Sequence, residues 1–551
     1  MGAAKIGLQD MEQTSNKRIL VYGAAVVFAV VFACVAFTIT DAGMGWDEAN
    51  DIRMATDAAG WFRGVAAGEP GSFSRQTIER HWGFEWVQHP AATRIFYAAL
   101  WPAVAGIGDG AVAREWISFR YLTAGLFAAL AAGVFVFGAK RFGAGAGAAA
   151  AVSLLCMPRM FGHAHFVETD LMLCAVYFAA AAAFLRGLES RRGAVMFGIL
   201  AGLLAAVKFT GLFAPAAFFL YGIIYERGKL RANAVAAALI GPVVFVAAQP
   251  MYWHGPVAAA AEYARHFLAP GARATIMVHY FGRDYAAALP WSYPFVVSAL
   301  SVPVAILAAA VAGAAQGLLR RGPEFAGARK IIVFLLINSF FMLVLFAPPR
   351  VSVYDGERLL MAVFPFWALL AGGGVSWALG RFSAPLRAAG IVVFAVWCGV
   401  VLADSRPFHL TYYNELAGGL AGAERRGMEV MYWGEAFTPG LAELMNRTLP
   451  PGARVATVGY YKNNLAKFQE LGLLRADIKP ETYGREADFL LAFNRRGVMD
   501  AHTRAIWDRS PPLIAANFGG TRVAALFILR PGLELMLKSS DSRTPPPRPA
   551  Q

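Results

Sequence analysis

Cysteine and charged residues are both scarce in the 551-residue chain, and each scarcity limits the classes of protein to which the chain can belong. Only 16% of the residues are charged, whereas 58% are hydrophobic. This composition excludes an ordinary water-soluble globular domain and indicates a protein that enters the membrane many times. No disulfide framework or zinc-binding cysteine pattern is implied, because all four cysteines lie within apolar runs: Cys34, Cys156, Cys174 and Cys398.

Acidic residues are also few, since 36 Asp and Glu stand against 50 Lys and Arg and leave a formal net charge of +14. An excess of this kind is typical of nucleic-acid-binding proteins. Here, however, the basic residues form short clusters between apolar runs, where such clusters orient membrane helices against an anionic inner leaflet. We therefore predict membrane lipid as a partner and no binding of nucleic acid.

The apolar runs predict about eleven transmembrane helices. The first run is long enough at 1.5 Å per residue to cross a hydrocarbon core of roughly 30 Å. A cleaved signal peptide is the competing interpretation, but the run is longer than a signal-peptide core and no Ala-x-Ala pattern follows it. The approximate ranges are 19–40, 116–138, 143–158, 169–185, 193–207, 209–225, 232–252, 291–315, 330–347, 359–378 and 387–404.

The basic clusters predict the orientation of these helices. Lys17 and Arg18 precede the first run, which predicts a cytoplasmic N-terminus, and an odd number of crossings then places the C-terminus outside. The segment 89–107 is apolar enough to cross but carries Arg94 and Pro102. Counting it as a crossing would move the later basic clusters outside, so we interpret it as an interfacial helix on the outer face.

Three regions are predicted along the chain. Residues 1–404 form a transmembrane domain with a large outer loop at 41–117, residues 405–537 form a small extracytoplasmic α/β domain, and residues 538–551 form a disordered tail. The α/β prediction rests on strand-like runs separated by Pro, Gly and polar turns, at 454–458, 488–492 and 523–528. The tail is rich in Ser, Pro and Arg.

Two adjacent carboxylates, Asp47 and Glu48, follow the first predicted helix in the motif Gly45-Trp46-Asp47-Glu48. A carboxylate at a helix mouth is suited to accept a proton from an attacking hydroxyl group. The structural alternative is that Asp47 is the N-cap of an outer amphipathic helix.

Two cations, Lys208 and Arg358, lie at predicted outer helix ends. A charge at such a position is a functional hypothesis by default, and here it would contact an anion. Each has a structural alternative. Lys208 is long enough to reach the interface with its ammonium, and Arg358 has Asp355 and Glu357 as local ion-pair partners.

A dense group of potential ligands occurs at His163, His165, Glu168 and Asp170. A His-x-His pair beside carboxylates suits zinc or manganese. The other interpretation is a structural or substrate-orienting role.

An ordered set of motifs resembles the GT-C superfamily of membrane glycosyltransferases that use a lipid carrier. The likeness is to the branch of protein O-mannosyltransferases and aminoarabinose transferases, glycosyltransferase family 39, and covers about residues 19–420. One position departs from the family, because Ala91 stands where relatives often carry a second proline. The matching motifs are Gly45-Trp46-Asp47-Glu48, His89-Pro90, Glu168-Thr169-Asp170, Leu289-Pro290-Trp291-Ser292-Tyr293-Pro294, Arg358-Leu359-Leu360 before Phe364-Pro365, and Tyr412-Tyr413-Asn414-Glu415-Leu416-Ala417-Gly418-Gly419.

The resemblance implies a fold and a reaction. It implies a GT-C helical domain in the bacterial inner membrane and an inverting transfer of a sugar from a polyprenyl-phosphate donor. The acceptor is a hydroxyl group of a protein, lipid or glycan at the outer face. The branch is largely independent of metal, so no cofactor is expected, with a divalent cation as the alternative.

The resemblance also implies roles for particular residues. Asp47 is expected to be the catalytic base, and Glu48 to orient the acceptor or to be solvated. Asp170 is expected to face the same cavity as these two loop carboxylates. The predicted substrate-binding residues are His89, Lys208, Arg358, His163 and His165.

A transporter or flippase of a lipid-linked intermediate is the alternative function, and a membrane scaffold is a third. Transporters commonly contain internal repeats and broken helices, and the sequence shows no obvious repeat. The candidate residues also gather at one predicted face, which favours an enzyme.

Overall fold

Helices make up most of the chain, and a small sheet follows them. The structure is a computed structural model that describes residues 2–268, 276–286, 288–483 and 486–530. The chain folds into two units. The first unit comprises Met1–Ile39, Asn50–Thr275 and Ala286–Ala417, and the second comprises Thr40–Ala49, Ile276–Tyr285 and Gly418–Gln551.

The first unit is helical, and each predicted apolar run contains helix. Short 3-10 turns precede α11 and α17 at Phe209–Phe213 and Arg358–Val363. The helices are α1 (Gly2–Phe37), α2 (Glu48–Ala66, whose first two residues belong to the second unit), α3 (Arg75–Trp82), α4 (Ala91–Leu100), α5 (Gly110–Val112), α6 (Ser118–Phe142), α7 (Ala144–Leu155), α8 (Pro158–His163), α9 (Asp170–Gly187), α10 (Arg191–Val207), α11 (Ala214–Tyr225), α12 (Arg231–Ala247), α13 (Pro256–Leu268), α14 (Tyr293–Leu300), α15 (Val304–Leu319), α16 (Ala326–Phe346), α17 (Phe364–Leu379) and α18 (Ala384–Asp404).

Length and composition make this unit a multi-pass membrane domain. Among the described residues, six helical segments are long and apolar enough to cross a membrane, and the pair α14–α15, bent by 115°, would make a seventh. Each of the eleven predicted runs coincides with helix, but α7, α10, α12 and the segment Phe209–Tyr225 are shorter than the six spans. The number of eleven crossings therefore stays a prediction. The six segments are Arg18–Phe37, Gly110–Phe142, Asp170–Gly187, Pro323–Phe346, Arg358–Leu379 and Ala384–Asp404.

Burial separates central helices from peripheral ones. In the apolar core of Arg358–Leu379, 89% of the residues are buried, whereas only 11% and 6% are buried in the corresponding parts of Arg18–Phe37 and Ala384–Asp404. Apolar helices with such exposed surfaces are stable only against lipid, so α1 and α18 lie at the periphery of the unit. Helix α17 packs closely on α15, because a Cβ at Gly374 would lie 1.9 Å from the carbonyl oxygen of Ala309. Small residues of this kind allow close helix packing in membranes.

The segment that contains α4 does not form a long helix. Helix α4 has 10 residues, which corresponds to about 15 Å, or half of the hydrocarbon core. A 3-10 turn at Trp101–Ala103 follows it. These lengths favour the interfacial interpretation of residues 89–107.

The second unit contains the predicted α/β domain. Its sheet has the strand order β4-β3-β5-β7-β6, in which β3 pairs in parallel with β4 and β5, and β7 pairs antiparallel with β5 and β6. The three predicted strands correspond to β3, β5 and β7, which confirms the sheet domain. The elements are β3 (Arg454–Val458), β4 (Lys479–Glu481), β5 (Phe489–Phe493), β6 (Ile514–Phe518) and β7 (Thr521–Ile528), with helices α19 (Gly419–Arg425), α20 (Pro439–Thr448), α21 (Lys462–Glu470) and α22 (Ala501–Arg509).

The second unit does not begin at the predicted boundary of 404/405. Its C-terminal part begins at Gly418, and two earlier segments belong to it. One of them is the hairpin β1 (Val278–Tyr280) and β2 (Arg283–Tyr285), whose Gly282 N–H donates to the Gly427 carbonyl at 2.9 Å. The other is Thr40–Ala49. An isolated two-stranded hairpin is marginally stable in water, so β1–β2 depends on this pairing. The predicted tail 538–551 lies outside the described residues.

Candidate active site

Three helix ends of the first unit bring Asp170, Lys208 and Arg358 together. Asp170 begins α9, Lys208 follows α10 in an extended conformation, and Arg358 begins the 3-10 turn before α17. The Lys208 ammonium donates to the Asp170 carboxylate, and Arg358 Nε lies 3.6 Å from Asp170 Oδ2. The sequence predicted Asp170, Lys208 and Arg358 at outer helix ends. The structure shows that Lys208 and Arg358 both contact the Asp170 carboxylate.

Asp170 is almost fully buried, with 2% of its surface exposed. A buried carboxylate is costly unless cations compensate for its lost hydration, and here two cations do so. The side chain of Lys208 is 20% exposed, against 9% for Arg358 and 1% for Asp170. The lysine is therefore the member of this group that a ligand reaches most easily.

A strained turn holds Arg358. Asp355 and Gly356 both have a left-handed backbone, with φ of 58° and 63°, a conformation that Asp tolerates better than most residues. The Asp355 carboxylate accepts a hydrogen bond from Arg358 Nη2 at 2.7 Å. The local ion pair weighed as the structural alternative for Arg358 thus exists, and Arg358 makes it together with the contact to Asp170.

Behind this group lies a second buried network that the sequence did not predict. Arg159 donates to the fully buried Glu357 and, through Nε, to the Tyr412 carbonyl at 2.8 Å. Its guanidinium also lies 4.4 Å from the centre of the Tyr413 ring. Arg159 interrupts an otherwise apolar stretch, and this was the signal that could have identified it.

His163 belongs to the same network. Its Nδ1 lies 3.0 Å from Glu168 Oε2, and its Nε2 lies 4.0 Å from Glu357 Oε1. Burial disfavours a charged ring, but the Glu168 and Glu357 carboxylates outweigh burial and raise the pKa of His163. Burial raises the pKa of the Glu168 carboxyl, because it disfavours the charged form of that group. His163 is fully buried, and these contacts favour an orienting role over direct contact with a substrate.

The partners of His165 differ from those of His163. Its Nδ1 lies 2.8 Å from the Phe161 carbonyl oxygen, and its Nε2 lies 2.8 Å from the Thr38 hydroxyl. Burial and the neighbouring His409 lower the pKa of His165 to about 3, so the ring is neutral and Nδ1 carries the proton. In the described part of the chain, no three His, Cys, Asp or Glu side chains are placed to hold a metal ion.

His89 lies between two carboxylates at the start of α4. Its Nδ1 is 3.6 Å from Asp51 Oδ1, and its Nε2 is 3.7 Å from Glu85 Oε2. The family departure at Ala91 also has a structural consequence. The Ala91 N–H donates to Gln249 Oε1 at 3.0 Å, a bond that a proline could not make.

Asp47 and Glu48 belong to the second unit, which holds their loop through its backbone. Tyr460 donates to the Met44 carbonyl at 3.0 Å, and Asn464 Nδ2 donates to the carbonyls of Gly45 and Trp46 at 2.8 and 3.2 Å. The Gly43 N–H donates to the Glu435 carbonyl at 2.8 Å. A Cβ at Gly43 would lie 2.1 Å from the Phe437 carbonyl oxygen, so this approach requires glycine.

The side chains of the loop have separate environments. The Trp46 ring stacks on Tyr461 with 6.0 Å between centroids, and the Arg495 guanidinium lies 4.9 Å from its centre. Glu48 is fully buried, and its carboxylate accepts a hydrogen bond from the Gly45 N–H at 3.0 Å. Glu48 therefore holds its own loop, whereas Asp47, which directly precedes α2, is half-buried.

Comparison with known proteins finds no matching family model and no matching curated protein. Among solved structures, ArnT from Cupriavidus metallidurans bound to undecaprenyl phosphate is similar at 16% identity and a TM-score of 0.49, covering 92% of this chain and 98% of that one.

The oligosaccharyltransferase of Archaeoglobus fulgidus in the apo form is similar at 12% identity and a TM-score of 0.46, covering 85% of this chain and 65% of that one. The same archaeon's AglB, in complex with an inhibitory peptide and a dolichol-phosphate, has 12% identity and a TM-score of 0.42, covering 86% of this chain and 70% of that one. Identities and TM-scores of this size leave the assignment of an activity to the residues themselves.

Proposed function

We propose that this chain is a glycosyltransferase that moves a sugar from a polyprenyl-phosphate donor to an acceptor hydroxyl at the outer face of the membrane. The observation that supports this most is the shared carboxylate of Asp170, which holds Lys208 and Arg358 at helix ends. Cations maintained at the end of membrane helices attract an anion at the membrane surface. The phosphate of a lipid carrier is such an anion.

The proposed reaction requires a base and a cation. The acceptor oxygen forms a bond to the anomeric carbon, and the bond from that carbon to the phosphate oxygen breaks with its electron pair going to the phosphate. Lys208 and Arg358 would stabilise the departing anion, and Asp47 would accept the hydroxyl proton. A single displacement of this kind inverts the anomeric carbon.

Asp170 and Glu48 would act as positioning residues. Asp170 contacts the two cations, and Glu48 contacts the backbone of the loop that carries Asp47. His163 and Glu168 would orient the buried network behind the site. His89 remains a proposed substrate contact, at the start of α4.

One structural feature favours the alternative of a transporter or flippase. Helices α14 and α15 are bent by 115° at a short break, and broken helices are common in transporters. Sugar transfer by the purified protein distinguishes the two functions.

Purified protein assayed with a panel of radiolabelled polyprenyl-phosphate sugars tests the proposal. Wild-type protein should transfer sugar from at least one donor, and Asp47→Asn should lower the rate by about 10²–10⁴-fold because the amide cannot accept the proton. The matched control is Asp41→Asn, at a half-buried aspartate of the same loop, which should stay near the wild-type rate. Near-normal transfer by folded Asp47→Asn would reject the base, and inactivity of the wild type toward every donor would favour a transporter.

A further inference from the structure

A groove opens between α6, α9 and α10, with Ala24 of α1 at its edge. Its volume is about 1280 Å³, and its walls are apolar over most of their length. Leu126 and Phe137 of α6, Val176 of α9 and Leu200 of α10 are among the lining residues. These three helices contribute surfaces that face one another without filling the space between them.

The depth of the groove corresponds to one leaflet of a membrane. Its lining residues run from Leu126 to Lys140 along α6 and from Ala175 to Arg186 along α9. At 1.5 Å per residue these stretches measure about 21 and 16 Å, and half of a hydrocarbon core measures about 15 Å. An acyl chain of one leaflet therefore fits the length of the groove.

The rim at one end of the groove is basic. Lys140, Arg141, Arg186 and Arg192 line it, together with Glu189, so four positive charges stand against one negative charge. All four cations are exposed. Among the side chains that the structure describes, which begin at Arg18, no carboxylate oxygen lies within 4.0 Å of any of the four.

Two lysines at this end of the helices are in ion pairs, in contrast to the cations of the rim. Glu226 accepts from Lys229 at 3.1 Å and from Lys330 at 2.7 Å. Both lysines line a neighbouring cavity of about 390 Å³, which shares Lys140, Arg141 and Glu189 with the groove. The cations on the rim of the apolar groove thus differ from these lysines in having no carboxylate partner among the described side chains. Arg191 belongs to the same basic cluster but does not line the groove, so it is a control for the role of the cluster in orienting the helices.

We propose that this groove binds an anionic phospholipid, with its phosphate at the basic rim and an acyl chain along α6 and α9. The rim supplies the charge complementary to the phosphate, since a cation near an anionic headgroup is stabilised, and the walls supply apolar surface at acyl-chain depth. Arg186 lies at the opposite end of α9 from Asp170, so this site is distinct from the candidate active site. The predicted orientation assigns the lipid to the inner leaflet.

Native mass spectrometry of the full chain, with dioleoyl phosphatidylglycerol and dioleoyl phosphatidylcholine as probes, tests the site. Wild-type protein should retain one phosphatidylglycerol in preference to phosphatidylcholine. The double variant Arg186→Gln/Arg192→Gln should lower that retention by about 30-fold, the effect expected for two cations near a headgroup. Lys140→Gln/Arg141→Gln, which changes the other side of the rim, provides the same test if the first variant does not fold.

Two controls separate binding from other effects. Arg191→Gln removes a neighbouring exposed cation outside the groove and should leave retention unchanged. Ala179→Phe, which fills the groove, should lower retention, whereas Ala238→Phe, at an exposed alanine of α12 outside the groove, should not.

Several results would overturn the proposal. Equal retention of the two phospholipids, or an equal loss in Arg191→Gln, would show that the rim does not select an anionic lipid. Displacement of phosphatidylglycerol by equimolar polyprenyl phosphate would make the groove a carrier site. A dimer that only Ala179→Phe dissociates would show that a second copy of the chain fills it.

Discussion

At the scale of single residues, the strongest prediction concerns the group of Lys208, Asp170 and Arg358. Lys208→Ala and Arg358→Ala should each raise the donor KM more than the acceptor KM, because the proposed partner is the carrier phosphate. Losing one charge-assisted contact should cost about 1.5–3 kcal/mol, or roughly 10- to 150-fold in kcat/KM for the donor. Steady-state transfer kinetics with varied donor and acceptor would measure it.

A double substitution distinguishes phosphate binding from charge balance. Lys208→Ala leaves the buried Asp170 with one cation fewer, which alone destabilises a protein. Lys208→Ala/Asp170→Asn removes that uncompensated charge while the ammonium stays absent. The double variant should regain thermal stability and keep its weak use of donor. Recovery of donor kinetics in the double variant would reduce Lys208 to a counter-ion.

A separate prediction concerns the effect of a substitution at Ala91 on the free energy of unfolding. Proline is favoured at the first position of a helix, but here the Ala91 N–H donates to the buried Gln249 side chain. Ala91→Pro should therefore lower the free energy of unfolding by about 1–3 kcal/mol, because Gln249 Oε1 loses its donor. Thermal unfolding in detergent would show this as a lower Tm. In a cycle with Gln249→Ala, the double variant should lose less than the sum of the single variants.

At the scale of elements, one prediction concerns the contact of α21 with the loop that carries Asp47 and Glu48. Asn464 of this helix is fully buried and donates to two carbonyls of the loop. Asn464→Ala should lower kcat about tenfold or more while the donor KM changes little, because a misplaced base slows the chemical step. Asn494 is the matched control, since it is equally buried in the same unit and donates to Glu424 and Arg522. Asn494→Ala should lower stability and leave kcat unchanged, and a similar fall in kcat for both variants would contradict the role of Asn464.

Elements also show how far the sequence could predict this structure. The strands β3, β5 and β7 were predictable because their apolar residues and flanking turns are local signals. The membership of β1–β2 and Thr40–Ala49 in the second unit was not, because their partners lie far along the chain. The sequence likewise predicted Asp170, Lys208 and Arg358 at helix ends, but only packing shows that one carboxylate serves both cations. The pairing of Arg159 with Glu357 was missed for the same reason, since the two residues are 198 positions apart in sequence.

At the scale of the whole molecule, the number of crossings determines the side of the second unit. Six crossings would return the chain to the side of its N-terminus, whereas seven or eleven would place the end of α18 on the opposite side. The basic residues Arg381 and Arg387 at the start of α18 favour a cytoplasmic start for that helix. We therefore predict that the end of α18 lies outside.

Reporter fusions in cells test this topology. A periplasmic reporter fused after Asp404 should be active and a cytoplasmic reporter at the same position inactive, because α18 enters from its basic end and leaves on the outer side. A second pair of fusions at Gly110 tests α4, whose 10 residues are too few to cross. Its periplasmic reporter should also be active. An active cytoplasmic reporter at Gly110 would make residues 89–107 a crossing, and one at Asp404 would place the second unit, with Asp47, on the cytoplasmic side and reject the proposed outer-face reaction.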